Sequence, residues 1–205
     1  MTGIEHDLRR ELPIPDELPD ISAAAAAAHL LDVAYATLDS PLGKLLLAST
    51  PKGLVRIAYV EYTDQDTVLE QLAAKVSPRV LAAPRKLDQP RRELDEYFAG
   101  RRRHFETPQD WQLIQGFARG VLTATAHVPY GATSTYKRMA TEAGNERASR
   151  AAGNALGSNP IPIIVPCHRI LHADGGLGGY TGGLDKKRLL LAVESGQGLL
   201  DPTTG

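Results

Sequence analysis

The chain has 205 residues, of which 42% are hydrophobic and 23% are charged, and its formal net charge at pH 7 is −1. This composition supports an ordinary hydrophobic core in one large or two small domains and argues against wholesale disorder. The charge excludes a protein coated in positive charge, so any contact with nucleic acid must come from a local basic face.

Residues 1–32 are predicted to form an extension. Residues 11–20 contain three prolines and four acidic residues, which is typical of an extended or disordered tether, and Ser22 could cap a short helix over residues 23–31. The first residues lack the basic-then-apolar order of a secretory signal. No apolar run approaches the roughly 18 residues needed to cross a bilayer, so no membrane contact is expected. The absence of disulfide potential favours a cytoplasmic location.

Residues 33–106 predict a small α/β domain. Three strands are predicted, at Val33–Leu38, Lys44–Ser49 and Leu54–Val60. Proline- and glycine-containing turns between them favour an antiparallel meander. Apolar residues at helical spacing then predict helices over Asp66–Val76 and Gln89–Ala99. The basic run Arg101–His104 is interpreted as a solvated loop, and the residues of this domain indicate no function by themselves.

Residues 107–205 predict a second, mostly helical domain. Helices are predicted over Trp111–Ala126, after a cap at Ser134 or Thr135, and over Glu146–Leu156. The turn between the last two helices, at Gly144 and Asn145, gives the outline of a helix-turn-helix. The last helix is rich in alanine and glycine, which would let it enter a groove narrower than the major groove of DNA. A tightly packed alanine-rich helix is the alternative.

Basic residues are concentrated in this second domain. Between Pro129 and His172 the basic side chains are Lys137, Arg138, Arg147, Arg150 and Arg169, and the acidic side chains are Glu142 and Glu146. The local excess of three positive charges predicts a surface that faces phosphates.

Cys167 is the only cysteine in the chain. A lone cysteine excludes an intramolecular disulfide and a multi-thiolate zinc site. The adjacent His168 supports a nucleophilic role, because a neighbouring base or cation can lower the thiol pKa into the physiological range. The alternative is a buried cysteine packed as a small hydrophobe. The prolines at 160, 162 and 166 predict a rigid, extended segment that emerges from the core.

The stretch Asn159-Pro160-Ile161-Pro162-Ile163-Ile164-Val165-Pro166-Cys167-His168-Arg169-Ile170 closely resembles the acceptor-site signature of the O6-alkylguanine-DNA alkyltransferases, or methylated-DNA–protein-cysteine methyltransferases. The resemblance runs from about Phe117 to Glu194, with a looser match over the N-terminal domain. It implies an antiparallel, ribonuclease H-like sheet with helices in the first domain and a winged helix-turn-helix in the second. It also implies direct-reversal repair, in which Cys167 accepts one alkyl group from O6 of guanine, or from O4 of thymine, in double-stranded DNA.

The resemblance implies the catalytic roles as well. A relay of Glu194, His168 and a water molecule would deprotonate Cys167, by the logic of a hydrolytic triad. Tyr136 would help to rotate the DNA backbone and donate a proton to N3 of guanine. Arg150 would fill the gap that the flipped base leaves in the duplex, with its helix docked in the minor groove.

The remaining DNA or base contacts that we expect are Arg147, Ser149, Asn159, Val165, Tyr180 and Thr181. Asn159 would tie the DNA-binding helix to the active-site segment. Thr181 stands where serine is common, so its backbone amide is the expected contact. Gly157 replaces a residue that is often polar or basic, which would remove one phosphate contact.

No cofactor or metal is expected. The N-terminal domain has no cysteine, so the zinc site of some relatives cannot be assembled there with cysteine ligands. His172 invites a metal interpretation, but two histidines and one thiol leave too few ligands. The protein is expected to act as a monomer, and cooperative binding along DNA is left open.

Two other functions remain open at this stage. A thiol hydrolase would use Cys167 and His168 in repeated turnover, and a DNA-binding module would recognise alkylated guanine without repair. Each site residue also has a plainer interpretation. His168 could be bonded to backbone, Glu194 could form a surface ion pair with residues 186–188, and Tyr180 could fill the core.

Overall fold

The computed structural model describes residues 24, 25, 28 and 30–196, so most of the predicted extension lies outside the described residues. A four-stranded sheet opens the fold. Its first three strands are β1 (Val33–Ser40), β2 (Gly43–Thr50) and β3 (Gly53–Tyr59), and they form the predicted antiparallel meander. A fourth strand, β4 (Val80–Ala82), pairs parallel with β1 and gives the order β3-β2-β1-β4. With only three residues, β4 has too little alternation to be predicted from its sequence.

Both faces of the sheet are covered. Helix α1 (Gln65–Lys75) packs on one face through Val68 and Leu72, together with Leu46 of β2. The opposite face, including Leu45 and Leu47, joins one apolar core with helix α2 (Asp88–Phe98) and the C-terminal domain. Burial on both faces explains why β2 is apolar along consecutive residues instead of alternating.

The C-terminal domain contains four helices among the described residues: α3 (Gly116–Ala126), α4 (Tyr136–Glu142), α5 (Ser149–Gly157) and α6 (Leu184–Glu194). Two-residue strands β5 (Ser134–Thr135) and β6 (Ile170–Leu171) pair in parallel. Helices α4 and α5 form the predicted helix-turn-helix, and Gly144 supplies a left-handed residue in the turn, with φ +89°. Thr135 caps α4 by accepting a hydrogen bond from the Arg138 amide at 3.2 Å.

Two helix starts were predicted too early. The helix predicted from Trp111 begins at Gly116, because the Asp110 side chain accepts the Gln112 amide at 3.1 Å and holds a turn there. The helix predicted from residue 146 begins at Ser149, because Asn145 Oδ1 accepts the Arg147 amide at 3.2 Å. In both cases a side chain competes with the helix for backbone groups.

The C-terminal domain is joined to β3, the edge strand of the sheet. The Ile57 amide donates to the carbonyl of Pro160 at 2.8 Å, and the Leu54 amide donates to the carbonyl of Pro108 at 2.8 Å. The sheet therefore supports the segment that leads to the cysteine, and the division between domains at residue 107 stays a prediction. Within the described part of the chain, no helix is long and apolar enough to cross a membrane.

Candidate active site and nucleic-acid interface

Cys167 begins a short 3-10 turn, Cys167–Arg169, and its exposed fraction is 5%. The prediction that this segment emerges from the core in an extended form is wrong. Residues 159–170 are all buried, and the chain reverses at Ile163, which has φ +75°, with the Val165 amide donating to the carbonyl of Ile161 at 2.9 Å. The segment is held by burial and tight turns, so the thiol has a fixed position inside the molecule.

Asn159 connects this segment to helix α5, which ends two residues earlier. Its Oδ1 accepts the Ile161 amide at 3.0 Å, and its Nδ2 donates to the carbonyl of Val165 at 2.8 Å. The same Nδ2 lies 3.2 Å from Cys167 Sγ. One buried amide therefore fixes the thiol relative to the end of α5.

The imidazole of His168 is fully buried next to the cysteine. Its Nε2 lies 2.9 Å from Glu194 Oε1, while its Nδ1 is buried and has no hydrogen-bond partner among the described residues. The ring of Tyr180 approaches edge-on, with centroids 6.3 Å apart at 89°. The alternative of a histidine bonded to backbone is thereby wrong, and Nδ1 is free to take a proton.

Glu194 lies at the end of α6 at the centre of a buried hydrogen-bond network. It accepts from Arg169 Nε at 2.9 Å and Nη2 at 2.8 Å, and from Tyr97 Oη at 2.7 Å. The Gly131 amide adds a bond of 3.1 Å. A surface ion pair with residues 186–188 is therefore not what Glu194 forms. The role of Tyr97 was not predicted from the sequence, and the prediction that Arg169 lies on the phosphate-facing surface is wrong, because its exposed fraction is 5%.

These surroundings set the protonation states of the three groups. Burial would raise the pKa of Glu194, but hydrogen bonds from His168 and Arg169 more than offset it and lower the pKa to about 2. Burial lowers the pKa of His168 below its usual 6.5, so the ring is neutral at pH 7. Burial raises the pKa of Cys167 to about 11, and the Asn159 hydrogen bond offsets only part of this.

The hydrogen bond of Asn159 and the charge of Lys187 do lower the pKa of Cys167, but burial outweighs them, so the pKa of the resting thiol is not brought into the physiological range. With its pKa raised by burial to about 11, the thiol is protonated at rest and needs a base during the reaction.

Lys187 of α6 is a further buried charge that the sequence analysis missed. Its Nζ donates to the carbonyl of Ile170 at 2.7 Å, and to the carbonyls of Leu177 and Gly179. Burial lowers its pKa to about 8. The residues Lys187, Leu190 and Glu194 are all buried and lie at helical spacing. A helical pattern extended back from Glu194 through Leu190 would therefore have indicated that Lys187 faces inward.

A cavity of about 580 Å³ opens beside the thiol. Its lining residues are Tyr136, Ser149, Arg150, Gly153, Asn154, Leu156, Gly157, Cys167, His172, Gly179, Tyr180 and Thr181. This reaction cavity is within the size range of small-molecule sites. Six of the predicted site residues line it together: Cys167, Tyr136, Ser149, Arg150, Tyr180 and Thr181. Val165 is fully buried and Arg147 is exposed in the turn before α5, and neither lines the cavity.

Tyr136 forms one wall of the reaction cavity. Its ring is tilted against His172, with centroids 5.0 Å apart. Burial raises its pKa, so the hydroxyl keeps its proton. Gly178 must be glycine, since it has φ +63° and a Cβ there would lie 2.2 Å from that hydroxyl. Among the described residues, no group of three acidic, histidine or cysteine side chains could hold a metal.

The predicted basic surface is smaller than the charge count indicated. Lys137 pairs with Glu146 at 2.8 Å, and Arg138 pairs with Glu142 at 2.8 Å. Arg169 is buried, so within residues 129–172 the basic side chains that remain exposed and form no ion pair with a described residue are Arg147 and Arg150.

The small residues of helix α5 serve two predicted purposes, tight packing on the inner face and close approach to a groove on the outer face. Ala152 and Ala155 pack inward, as the alternative interpretation of an alanine-rich helix expects. Ala151, Asn154 and Gly157 are exposed beside Arg150, so apart from that arginine the outer face is narrow and carries small side chains. Such a face suits close approach to a nucleic-acid groove.

The chain matches two family models. Residues 33–111 match the ribonuclease-like domain of 6-O-methylguanine DNA methyltransferase, and residues 116–196 match its DNA-binding domain. Two proteins named methylated-DNA–protein-cysteine methyltransferase are 38% identical to it. The one from Mycolicibacterium paratuberculosis aligns over 79% of this chain and 92% of its own length. The one from Methanosarcina acetivorans aligns over 78% and 97%.

Solved structures agree with the two-domain fold. Mycobacterium tuberculosis O6-methylguanine methyltransferase is 36% identical, with a TM-score of 0.68 over 83% of this chain and 98% of that chain. The structure of Mycobacterium tuberculosis OGT in complex with DNA is 35% identical, with the same TM-score over 80% and 94%.

Proposed function

This chain belongs to the 6-O-methylguanine DNA methyltransferase family, and we propose that it repairs O6-alkylguanine in double-stranded DNA by moving the alkyl group to Cys167. The observation that carries this is the position of the only cysteine. It lies in a cavity bordered by the DNA-binding helix α5, directly beside the buried His168–Glu194 pair. O4-alkylthymine, which presents a similar alkyl ether, is the second substrate.

The target base must leave the duplex to reach this thiol. O6 of guanine is inside the base stack, and turning a nucleotide out costs a few kcal/mol. Arg150 is exposed on α5 at the mouth of the cavity, where it can fill the gap in the stack and offset part of that cost. The narrow outer face of α5 supports docking in the minor groove.

The pocket then holds the base for reaction. Tyr180 forms one wall, and the Thr181 amide is the polar contact, since the Thr181 hydroxyl already donates to the carbonyl of Gly157 at 3.1 Å. Ser149 and Arg147 serve the DNA backbone near the start of α5. Val165 and Asn159 support the cysteine from below.

The proton of Cys167 goes to His168 in this mechanism. Neutral His168 accepts it at Nδ1 through a water molecule, because the side chain that contacts Sγ in the structure is Asn159. Glu194 holds Nε2 and is ionised, so it stabilises the imidazolium that forms.

Transfer forms one bond and breaks another. The thiolate attacks the alkyl carbon, the S–C bond forms, and the bond from that carbon to O6 breaks. Tyr136 donates its proton to N3 of the departing guanine, which relieves the developing negative charge. The product is a thioether without a good leaving group, so each molecule acts once.

Titration with DNA that carries a labelled methyl group on O6 of guanine tests this function. We expect one label per protein molecule and then no further reaction. Continued release of label would instead indicate a thiol hydrolase with turnover. Tight binding without any transfer would indicate a module that recognises the lesion only.

One copy of the chain contains every residue of the proposed mechanism, which supports action as a monomer. Cooperative binding along DNA is tested by an equilibrium binding titration of a Cys167→Ser protein, which binds without reacting. A reaction that consumes a free thiol needs a reducing compartment, so we place it in the cytoplasm.

A further inference from the structure

A second cavity lies behind the wall of the reaction cavity. It has a volume of about 320 Å³ and lies between β3, α1 and the residues that follow α5. Gly157 and Thr181 line both cavities, and they are joined by the hydrogen bond of the Thr181 hydroxyl. Gly157 and Thr181 therefore form a shared wall between the two cavities, and the N-terminal domain is on its far side. The partition is this wall together with Tyr180, the residue before Thr181, which lines the reaction cavity.

Tyr59, the last residue of β3, supports this partition from the N-terminal domain. Its exposed fraction is 4%, and its hydroxyl lies 2.7 Å from the hydroxyl of Tyr180. The two rings meet with centroids 6.2 Å apart at 68°. A Cβ at Gly182 would lie 2.8 Å from the Tyr59 ring and 3.0 Å from the Tyr180 ring, so no side chain fits at position 182 against these two rings.

The outer side of Tyr59 is held as well. Lys186 Nζ lies 5.7 Å from the centroid of the Tyr59 ring and 5.4 Å from that of Tyr62. The same ammonium is 2.7 Å from Glu61 Oε2. This cation fixes the end of β3 against the start of α6.

On the reaction side, Tyr180 is the residue through which Tyr59 can act. The Tyr180 ring lines the reaction cavity together with Cys167 and stands edge-on to His168. Tyr59 itself does not line that cavity. A change at the Tyr59 hydroxyl therefore reaches the reacting atoms only by changing where the Tyr180 ring lies.

We propose that Tyr59 is a positioning residue whose hydrogen bond to Tyr180 sets the width of the reaction cavity and so the size of alkyl group that Cys167 accepts. The proposal rests on the proposed function of the site. With the bond in place, the Tyr180 ring is held close and favours a small alkyl group. Without it, the ring can turn away, so that a methyl group is held less well and a bulky group gains room.

Rate constants for two duplexes test the proposal. The duplexes differ only in carrying O6-methylguanine or O6-benzylguanine, so base flipping is common to both. In Tyr59→Phe, we expect the benzyl-to-methyl ratio of rate constants to rise about three- to tenfold, the range that one neutral hydrogen bond supplies. Tyr180→Phe should raise it equally, and the double variant should add nothing, since both changes remove one bond.

Tyr35→Phe is the matched control. Tyr35 is partly buried on the α1 side of the sheet, and its hydroxyl has no hydrogen-bond partner among the described residues. Its ratio should stay at the wild-type value. General loosening of the fold would slow both substrates together, whereas the proposal requires their ratio to change.

A wild-type ratio in a folded Tyr59→Phe protein would overturn the proposal and leave the proposed function intact. If Tyr59→Phe does not fold, Tyr180→Phe decides in the same way from the loop side. A wild-type protein that accepts neither alkyl group would overturn the proposed function and this proposal with it.

Discussion

The buried network behind the reaction cavity and the rim of the cavity are built on opposite principles. The buried network, which consists of Cys167, His168, Arg169 and Glu194, is shielded from solvent, and its polar groups are largely bonded to one another. The rim, which consists of Ser149, Arg150, Gly157 and Thr181, is exposed or half-buried and makes few contacts. The buried network fixes the protonation states of its own side chains, whereas the rim leaves side chains free to meet a ligand.

Burial explains the difference. A charge in the interior costs several kcal/mol unless it is paired and hydrogen-bonded, so Glu194 and Arg169 need each other and the donors around them. The same burial keeps His168 neutral and Cys167 protonated. An exposed arginine such as Arg150 stays hydrated and keeps its charge available for phosphate or a base stack. Changes in the buried network should therefore affect chemistry and stability, whereas changes to the rim side chains that face DNA, such as Arg150, should affect DNA substrates only.

The largest expected effect is on alkyl transfer, from a change in the buried network. Cys167→Ser should abolish alkyl transfer, because a hydroxyl is a far weaker nucleophile and no second thiol exists in the chain. Affinity for DNA should stay within about tenfold of wild type, since the phosphate contacts are on the rim. Single-turnover assays and binding titrations measure the two quantities. Residual transfer by this variant would contradict Cys167 as the acceptor, and a loss of DNA affinity well beyond tenfold would contradict the separation of the buried network from the rim.

Glu194→Gln should lower the free energy of unfolding by about 3 kcal/mol, because it leaves Arg169 charged and buried without its partner. It should also slow transfer, since the imidazolium loses its counter-charge. Glu142→Gln removes a carboxylate from an exposed pair with Arg138 and should change stability by less than about 0.5 kcal/mol. Denaturant unfolding compares them, and equal losses would mean that the buried network has no special weight.

The pH dependence of this difference has a defined direction. The pKa of Glu194 is lowered to about 2 in the folded protein, from an ordinary value of 4.5. Its contribution to stability is therefore fully present above pH 4.5 and is lost as the pH falls towards 2. Wild type and Glu194→Gln should thus converge in stability over that window. A difference that stays constant down to pH 2 would contradict the lowered pKa.

At the rim, Arg150→Ala should slow repair of duplex DNA about ten- to a hundredfold while leaving reaction with free O6-benzylguanine close to wild type, because the free base needs no flipping. Arg138→Ala, an exposed arginine on α4 that pairs with Glu142, is the control and should affect the two substrates alike. Equal losses on both substrates in Arg150→Ala would show that this residue does not fill the stack.

The smallest effect concerns the alkylated protein. The added methyl group is bonded to a sulfur that is 5% exposed and lies 3.2 Å from Asn159 Nδ2, beside the reaction cavity. Crowding of this buried amide costs about 1 kcal/mol or more, so we expect a lower melting temperature and weaker DNA binding after reaction. Identical melting curves before and after stoichiometric methylation would show that the buried network around Cys167 is less rigid than its contacts indicate.

The sequence predicted the parts of the molecule that depend on local order. The first three strands followed from the proline- and glycine-containing turns between them, and the helix-turn-helix followed from the apolar spacing around Gly144. The cysteine motif identified the family. Errors at the helix starts came from Asp110 and Asn145, whose side chains capture backbone amides in a way that apolar periodicity does not register.

The sequence did not predict which charged residues are buried. Arg169 and Lys187 each stand beside other basic residues or within a basic segment, so composition placed them on the surface. Their burial depends on acceptors that are distant in the chain, such as Glu194 for Arg169. Tyr59 was missed for the same reason, since its partner Tyr180 is 121 residues away and in the other domain.

The most direct test of the account is to locate the transferred group. Trypsin should release residues 151–169 as one peptide that contains Cys167, because no lysine or arginine interrupts it. After reaction with DNA containing O6-methylguanine, this peptide should gain the mass of one CH₂ group on Cys167, in equal molar amount to the guanine restored. A methyl group on any other residue, or restored guanine in excess of the protein, would contradict single-turnover transfer to Cys167.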